Sequence, residues 1–103
     1  MSILEGVLRE EQTRLKNNIS YYETMLLSLP RGTIFIKKTK NSSFVYRRRK
    51  VNGKVVSEYL GKLGSNNVKK QIELSIEYKR IKNNIRIVKK ELVKLNKAIK
   101  AYD

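Results

Sequence analysis

Asn52-Gly53 stands between two runs of strand composition, "SFVYRRRK" (43–50) and "KVVSEYL" (54–60). Asn-Gly is the preferred pair for a two-residue type I′ turn, whose twist matches that of the strands it joins and which needs positive φ at both positions. So short a loop leaves no freedom of register, and the pairing follows directly. Val51 faces Lys54, Lys50 faces Val55, Arg49 faces Val56, Arg48 faces Ser57, Arg47 faces Glu58 and Tyr46 faces Tyr59. Opposite charges meet at 47 and 58 and two rings meet at 46 and 59, both favourable cross-strand neighbours. A third run, "TIFIKKTK" (33–40), precedes across Asn41-Ser42, so three antiparallel strands are expected.

On either side of this segment the apolar period becomes helical. Leu8, Leu15, Ile19, Tyr22, Leu26 and Leu29 are spaced as the seam of a coiled-coil helix, with Gln12 in the slot between the first two. Pro30 disfavours helical geometry at Leu29, and Arg31-Gly32 completes the break. After Ser65, a candidate cap, the seam runs from Gln71 through Leu74, Tyr78, Ile81, Ile85, Val88, Leu92, Leu95, Ile99 and Tyr102, with no Gly or Pro in 66–103. A first helix of about 27 residues is roughly 40 Å long and a second of about 37 is roughly 55 Å. That difference accommodates a short sheet.

The expected fold is therefore α+β, in the order α-β-β-β-α. Two long helices form an antiparallel coiled-coil hairpin, and a small three-stranded antiparallel sheet packs on the start of the second helix. Val68, Ile72 and Ile76 are the residues expected to cover the sheet. We read 1–103 as a single domain: a helix in 1–29, a basic sheet in 30–64 and a long basic helix in 65–103.

Charge narrows the function. The chain carries 24 Lys and Arg against 9 Asp and Glu, a formal net charge of +15. Residues 1–30 hold Arg9, Arg14 and Lys16 against Glu5, Glu10, Glu11 and Glu23, a net of −1. Residues 31–65 hold ten cations against Glu58 alone, a net of +9, and residues 66–103 hold eleven against four, a net of +7. A charge that served solubility alone would be scattered; this one is segregated, which points to a polyanionic partner.

The candidate nucleic-acid-binding residues are Lys37, Lys38, Lys40, Arg47, Arg48, Arg49, Lys50, Lys54 and Lys62, with Tyr46 and Tyr59. Arg48 falls on the strand face of Phe44, Tyr46, Val55 and Tyr59. Arg47 and Arg49 fall on the face of Val45, Val51, Val56 and Leu60, so arginine is expected at solvent whichever face the helix covers. Guanidinium suits phosphate because its planar fork gives two hydrogen bonds at once. Tyr46, Tyr59, Phe35 and Phe44 alternate with the cations, and a ring at solvent can stack on a splayed base. The ordinary uses of these residues are protection of a sheet edge for the charges and core packing for the rings. A secondary basic face, Arg86, Lys90, Lys94 and Lys97, lies off the seam of the long helix, where the ordinary use is a solvated helix surface.

The stretches "LPRGTI" (29–34) and "FVYRRRKVNGKVVSEYLGK" (44–62), followed by a long basic helix, resemble a group of small proteins of bacteria, archaea and their mobile elements classed as a domain of unknown function. The shared pieces are Leu29, Pro30, Arg31 and Gly32; Tyr46 and Arg48; Gly53 and Lys54; and Ser57, Tyr59, Leu60, Gly61 and Lys62. Longer relatives insert a cysteine-containing loop between the first two strands, which this chain lacks. The hairpin also looks like N-terminal hairpins of some transposases and integrases. The resemblance implies a phage or prophage setting, with inhibition of a host defence complex, the anti-CRISPR class included, as a candidate role in the bacterial cytoplasm.

The chain has no Cys and no His. Disulfides, thiolate nucleophiles, Cys/His zinc sites and imidazole acid–base chemistry are thereby removed. No carboxylate cluster of the kind a metal-dependent nuclease needs accompanies the basic segments. We expect no enzyme, no metal and no cofactor. "SILEGVLREEQ" after Met1 lacks a signal-peptide pattern, and no apolar run approaches the roughly 18–20 residues of a membrane span, so no membrane is expected. The partner classes left are RNA or DNA, a ribonucleoprotein effector whose guide or target phosphates the basic surface occupies, and a second copy meeting Ile3, Val7, Leu27 and Ile87 in a homodimer through the helices.

Overall fold

The computed structural model describes residues 2–102. Its elements are α1 (Ile3–Leu27), β1 (Thr33–Lys38), β2 (Ser43–Val51), β3 (Lys54–Lys62) and α2 (Asn66–Lys100), in the expected order α-β-β-β-α. They form two compact units. One contains the residues up to Ser28 and those from Arg80 onward; the other is Leu29–Lys79. The continuous helix α2 contributes its first part to the second unit and the remainder to the first.

In the unit of Leu29–Lys79 the sheet has the order β1-β2-β3, all antiparallel. Asn52 and Gly53 have φ of 52° and 79°, as a type I′ turn demands. All six pairs of the expected register, from Val51–Lys54 to Tyr46–Tyr59, are present. Beyond them the pairing slips. Val45 faces Gly61, leaving Leu60 as an extra residue, and Phe44 faces Lys62. This β-bulge carries β3 two residues past the run that strand composition marks, and it puts a residue without a side chain opposite Val45.

Gly61 is where α2 meets the sheet. A Cβ at Gly61 would come within 3.0 Å of Val68 Cγ2, and the backbone there has φ of +138°. Val45 and Val68 are both fully buried. Ser65 caps the helix, its hydroxyl accepting from the Val68 amide. Gly61→Ala should therefore lower stability by about 1–3 kcal/mol, through overpacking against Val68 and through the positive φ. A thermal melt unchanged from the native chain would contradict this close approach.

Of the three residues expected to cover the sheet, Val68 does so fully and Ile72 is half-buried, but Ile76 is 62% exposed and Ser75 is buried in its place. The reason is helical phase. Ser75 lies seven residues beyond Val68, about 20° short of two turns, whereas Ile76 lies about 80° beyond them.

The other unit is a helical hairpin. Ser2 caps α1 by accepting from the Glu5 amide at 3.0 Å, and Arg9 pairs with Glu5 one turn on. The Arg14 guanidinium donates to Glu11 and holds that carboxyl below its ordinary value. Helix α1 stops at Leu27 with Ser28 as its C-cap, just ahead of Pro30. The antiparallel sense is fixed by two cross-helix contacts. Gln12 Nε2 donates to Asn96 Oδ1 at 2.7 Å, and Lys89 Nζ lies 3.8 Å from Glu23 Oε1. Leu15, Ile81, Ile85 and Ile99 are buried, all on the expected seams, while Leu92 and Leu95 are half-buried. Lys97 and Lys100 occupy the last turn of α2, where cations oppose the helix dipole favourably. Among the described residues no helix is long and apolar enough to cross a membrane.

Candidate nucleic-acid interface

The register of β1, β2 and β3 assigns the strand residues to two faces, with Ser43 on the side of its partner Lys38 and Leu60 in the bulge outside the alternation. Thr33, Phe35, Lys37, Phe44, Tyr46, Arg48, Lys50, Val55, Ser57, Tyr59 and Lys62 share one; Ile34, Ile36, Lys38, Val45, Arg47, Arg49, Val51, Lys54, Val56, Glu58 and Gly61 share the other. Val68 meets the second face at Gly61, so the start of α2 lies there. The face bearing Tyr46 and Tyr59 is left to solvent.

That face carries a chain of four rings. Phe35 and Tyr46 stack with centroids 5.2 Å apart and planes 16° from parallel. Tyr46 meets Tyr59 at 5.3 Å, and Tyr59 meets Phe44 at 6.2 Å, both tilted. At the open end the Arg48 guanidinium carbon sits 4.5 Å above the centre of Phe35, a cation–π contact that ties the fork to this face. The rings follow from the register, because cross-strand neighbours on one face stand close enough for side chains of this size to touch. Tyr59 is 55% exposed, and Phe35, Phe44 and Tyr46 are half-buried against one another. Lys37, Lys50 and Lys62 stand exposed on the same face, which bears no carboxylate. The positive charge there is thus uncompensated by any acid on its own surface.

Arg47 does not reach solvent. It is 5% exposed, its Nη2 donates to Gln71 Oε1 of α2 at 2.7 Å, and its Nη1 lies 3.8 Å from Glu58 Oε2. Its Nε is buried without a hydrogen-bond partner. The correction has a simple cause: the face on which Arg47 lies is the one that α2 covers, so its long stem packs under the helix while its head is met by Gln71 and Glu58. Gln71, the one polar slot at the start of the α2 seam, is the residue whose role the sequence reading leaves unassigned. A lone amide in an otherwise apolar seam is the signal that could have found it.

The other cationic candidates remain exposed. Lys38 and Lys54 are on the α2 face of the sheet, beyond the buried strip, and Lys40 lies past the end of β1. Arg49 lies one place beyond the last β1–β2 pair, Thr33–Arg48. There Arg31, Gly32, Arg49, Lys50, Val51 and Asn52 line a cleft of about 420 Å³. Arg31 belongs to this cleft although the sequence reading places it only in the Leu-Pro-Arg-Gly turn. The helix candidates Arg86, Lys90, Lys94 and Lys97 belong to the other unit, where all are exposed and Arg86 is held by Asn83 Oδ1 at 2.8 Å. Among the described residues no group of three or more acidic side chains is placed to hold a metal ion.

Residues 2–70 match a protein family described as Domain of unknown function (DUF6788), a span that takes in α1, the whole sheet and the first turn of α2. Neither a curated protein nor a solved structure matches the chain.

Proposed function

We propose that this chain, which belongs to that family of unknown function, is a non-enzymatic nucleic-acid-binding protein that takes a single strand across the open face of its sheet. The observation that carries the reading is the four-ring chain on the face opposite α2, bordered by Arg48, Lys37, Lys50 and Lys62 with no carboxylate among them. Unpaired bases stack on exposed rings, and the phosphates between them meet the lysines and the Arg48 fork. A duplex offers its phosphates but keeps its bases stacked inside, so it uses only half of such a surface. The rings also stabilise the sheet through their cross-strand contacts. That function explains the half-buried Phe35, Phe44 and Tyr46 better than it explains Tyr59, which meets two of them but keeps 55% of its surface exposed. The reading extends to a ribonucleoprotein whose guide or target strand presents the same phosphates and bases, and so to inhibition of a defence complex of the anti-CRISPR kind.

Binding of labelled RNA and DNA single strands, measured by fluorescence anisotropy at about 50 mM salt, tests the proposal. Submicromolar affinity is expected, falling steeply as salt rises through counterion release. Tyr59→Ala should cost about 1–3 kcal/mol of binding, the range of one base–ring stack. Changing Arg48, Lys50 and Lys62 together to Ser should weaken binding at least about tenfold more than changing Lys90, Lys94 and Lys97 to Ser, which removes the same charge; tenfold corresponds to about 1.4 kcal/mol. Equal losses from the two triple variants, or a duplex bound as tightly as a single strand, would reduce the surface to a general basic coat.

A further inference from the structure

We infer that the helical hairpin carries a second docking site, independent of the sheet, for an acidic amphipathic helix of a partner protein. Both helices of that unit line a groove of about 780 Å³. Its apolar side chains are Leu26, Ile85 and Val93, and its rim holds six lysine and arginine side chains against the single carboxylate of Glu23. That carboxylate already faces Lys89 at 3.8 Å, so the rim is almost wholly cationic. Val93 is 54% exposed, a branched apolar side chain with no place in a solvated basic face. Two helices make a single layer, and a hairpin of this kind buries one seam and leaves its flanks open.

The combination selects the occupant. A phosphate backbone would satisfy the cations but gain nothing from Leu26 and Val93, whereas an amphipathic helix seats its apolar stripe on them and places glutamates or aspartates on either side. From Lys82 to Lys97 the α2 wall of the groove is roughly 22 Å long, the length of a helix of about 15 residues. A second copy of the chain is the wrong partner. The one helix it offers without a basic excess is α1, and there Glu5 and Glu11 are already paired with Arg9 and Arg14.

The probe is a synthetic peptide of about 16 residues, with leucine along one helical stripe and glutamate beside it, titrated into the full chain by fluorescence anisotropy. It should bind at least about tenfold more tightly than a scrambled peptide of the same composition and than a leucine/lysine counterpart. The double variant Lys90→Glu/Lys94→Glu, whose side chains are exposed and whose fold is checked by its melt, should weaken it at least about tenfold, as should Val93→Glu. The Tyr59→Ala variant should bind it as the native chain does, which separates this site from the sheet. Equal affinity for the scrambled peptide would mean charge alone, and equal affinity for the lysine peptide would mean apolar contact alone. Displacement of the peptide by a single-stranded oligonucleotide that the Lys90/Lys94 variant also fails to bind would make the groove a phosphate track. A native dimer in sedimentation that Val93→Glu dissociates would assign the groove to a second copy. Any of these four results overturns the inference.

Discussion

Ile81→Ala is expected to destabilise the chain by about 2–5 kcal/mol, the range for a fully buried aliphatic side chain cut back to a methyl group. Ile81 has no exposed surface at all. Its loss removes transfer free energy, and the rigid backbone of α2 limits how far the cavity can collapse. A domain of this size holds only about 5–15 kcal/mol in total, so this one substitution threatens a large share of it. At about 4–8 °C per kcal/mol the midpoint of thermal unfolding should fall by at least roughly 8 °C. Ile85→Ala should cost nearly as much, because Ile85 is 8% exposed, while Leu92→Ala should cost distinctly less because Leu92 is only half-buried. Urea unfolding of the three variants, read with a common slope, gives the order. If Leu92→Ala proves as damaging as Ile81→Ala, the burial gradient along the hairpin is wrong.

The second large effect concerns the three consecutive arginines, of which the fold buries Arg47 and leaves Arg48 and Arg49 exposed. Arg47→Ala should lower stability by about 1–3 kcal/mol, because it removes the donor to the half-buried amide of Gln71 and a packed stem. The Glu58 contact adds little, since that carboxylate is half-exposed and 3.8 Å away. Arg47→Met keeps the stem and loses the head, so it should be the milder change. It also removes Nε, which is buried without a partner. Arg48→Ser should behave in the opposite way: little change in the melt, and a measurable loss of oligonucleotide binding per folded molecule. If Arg47→Met lowered binding while leaving the melt untouched, the buried guanidinium would have to be reaching a ligand after all. A triple change of Arg47, Arg48 and Arg49 to Ser mixes the two effects and separates nothing.

Much of this was legible in the residues. Asn52-Gly53 set the β2–β3 register to the residue, because a two-residue loop permits no alternative. The α-β-β-β-α order followed from where the apolar period switches between two and the helical repeat. The helix seams pointed to Leu15, Ile81, Ile85 and Ile99, since a continuous stripe on a helix has only one side to bury. Tyr46 and Tyr59 stand opposite each other, with Phe44 and Arg48 on the same face, as that register implies; Phe35 joins them only through the β1–β2 pairing of the fold.

The choice between the two sheet faces was not legible, because each carries apolar residues and at least one arginine. It was decided by the path of α2, and that path depends on a bulge with no signature in composition. Leu60 is accommodated as an extra residue, Gly61 lands opposite Val45, and the absence of a side chain there lets Val68 approach. The helix then covers Arg47 and leaves Arg48 at solvent, although the two are neighbours in the chain and identical in chemistry. Helical phase from Val68 buries Ser75 and exposes Ile76, against what hydrophobicity alone would favour. Local sequence determined the elements and the hairpin register, because turn geometry and periodicity act over a few residues. Which face stays open was determined by long-range packing, where Gly61, without a Cβ, admits Val68 of α2 on one side of the sheet.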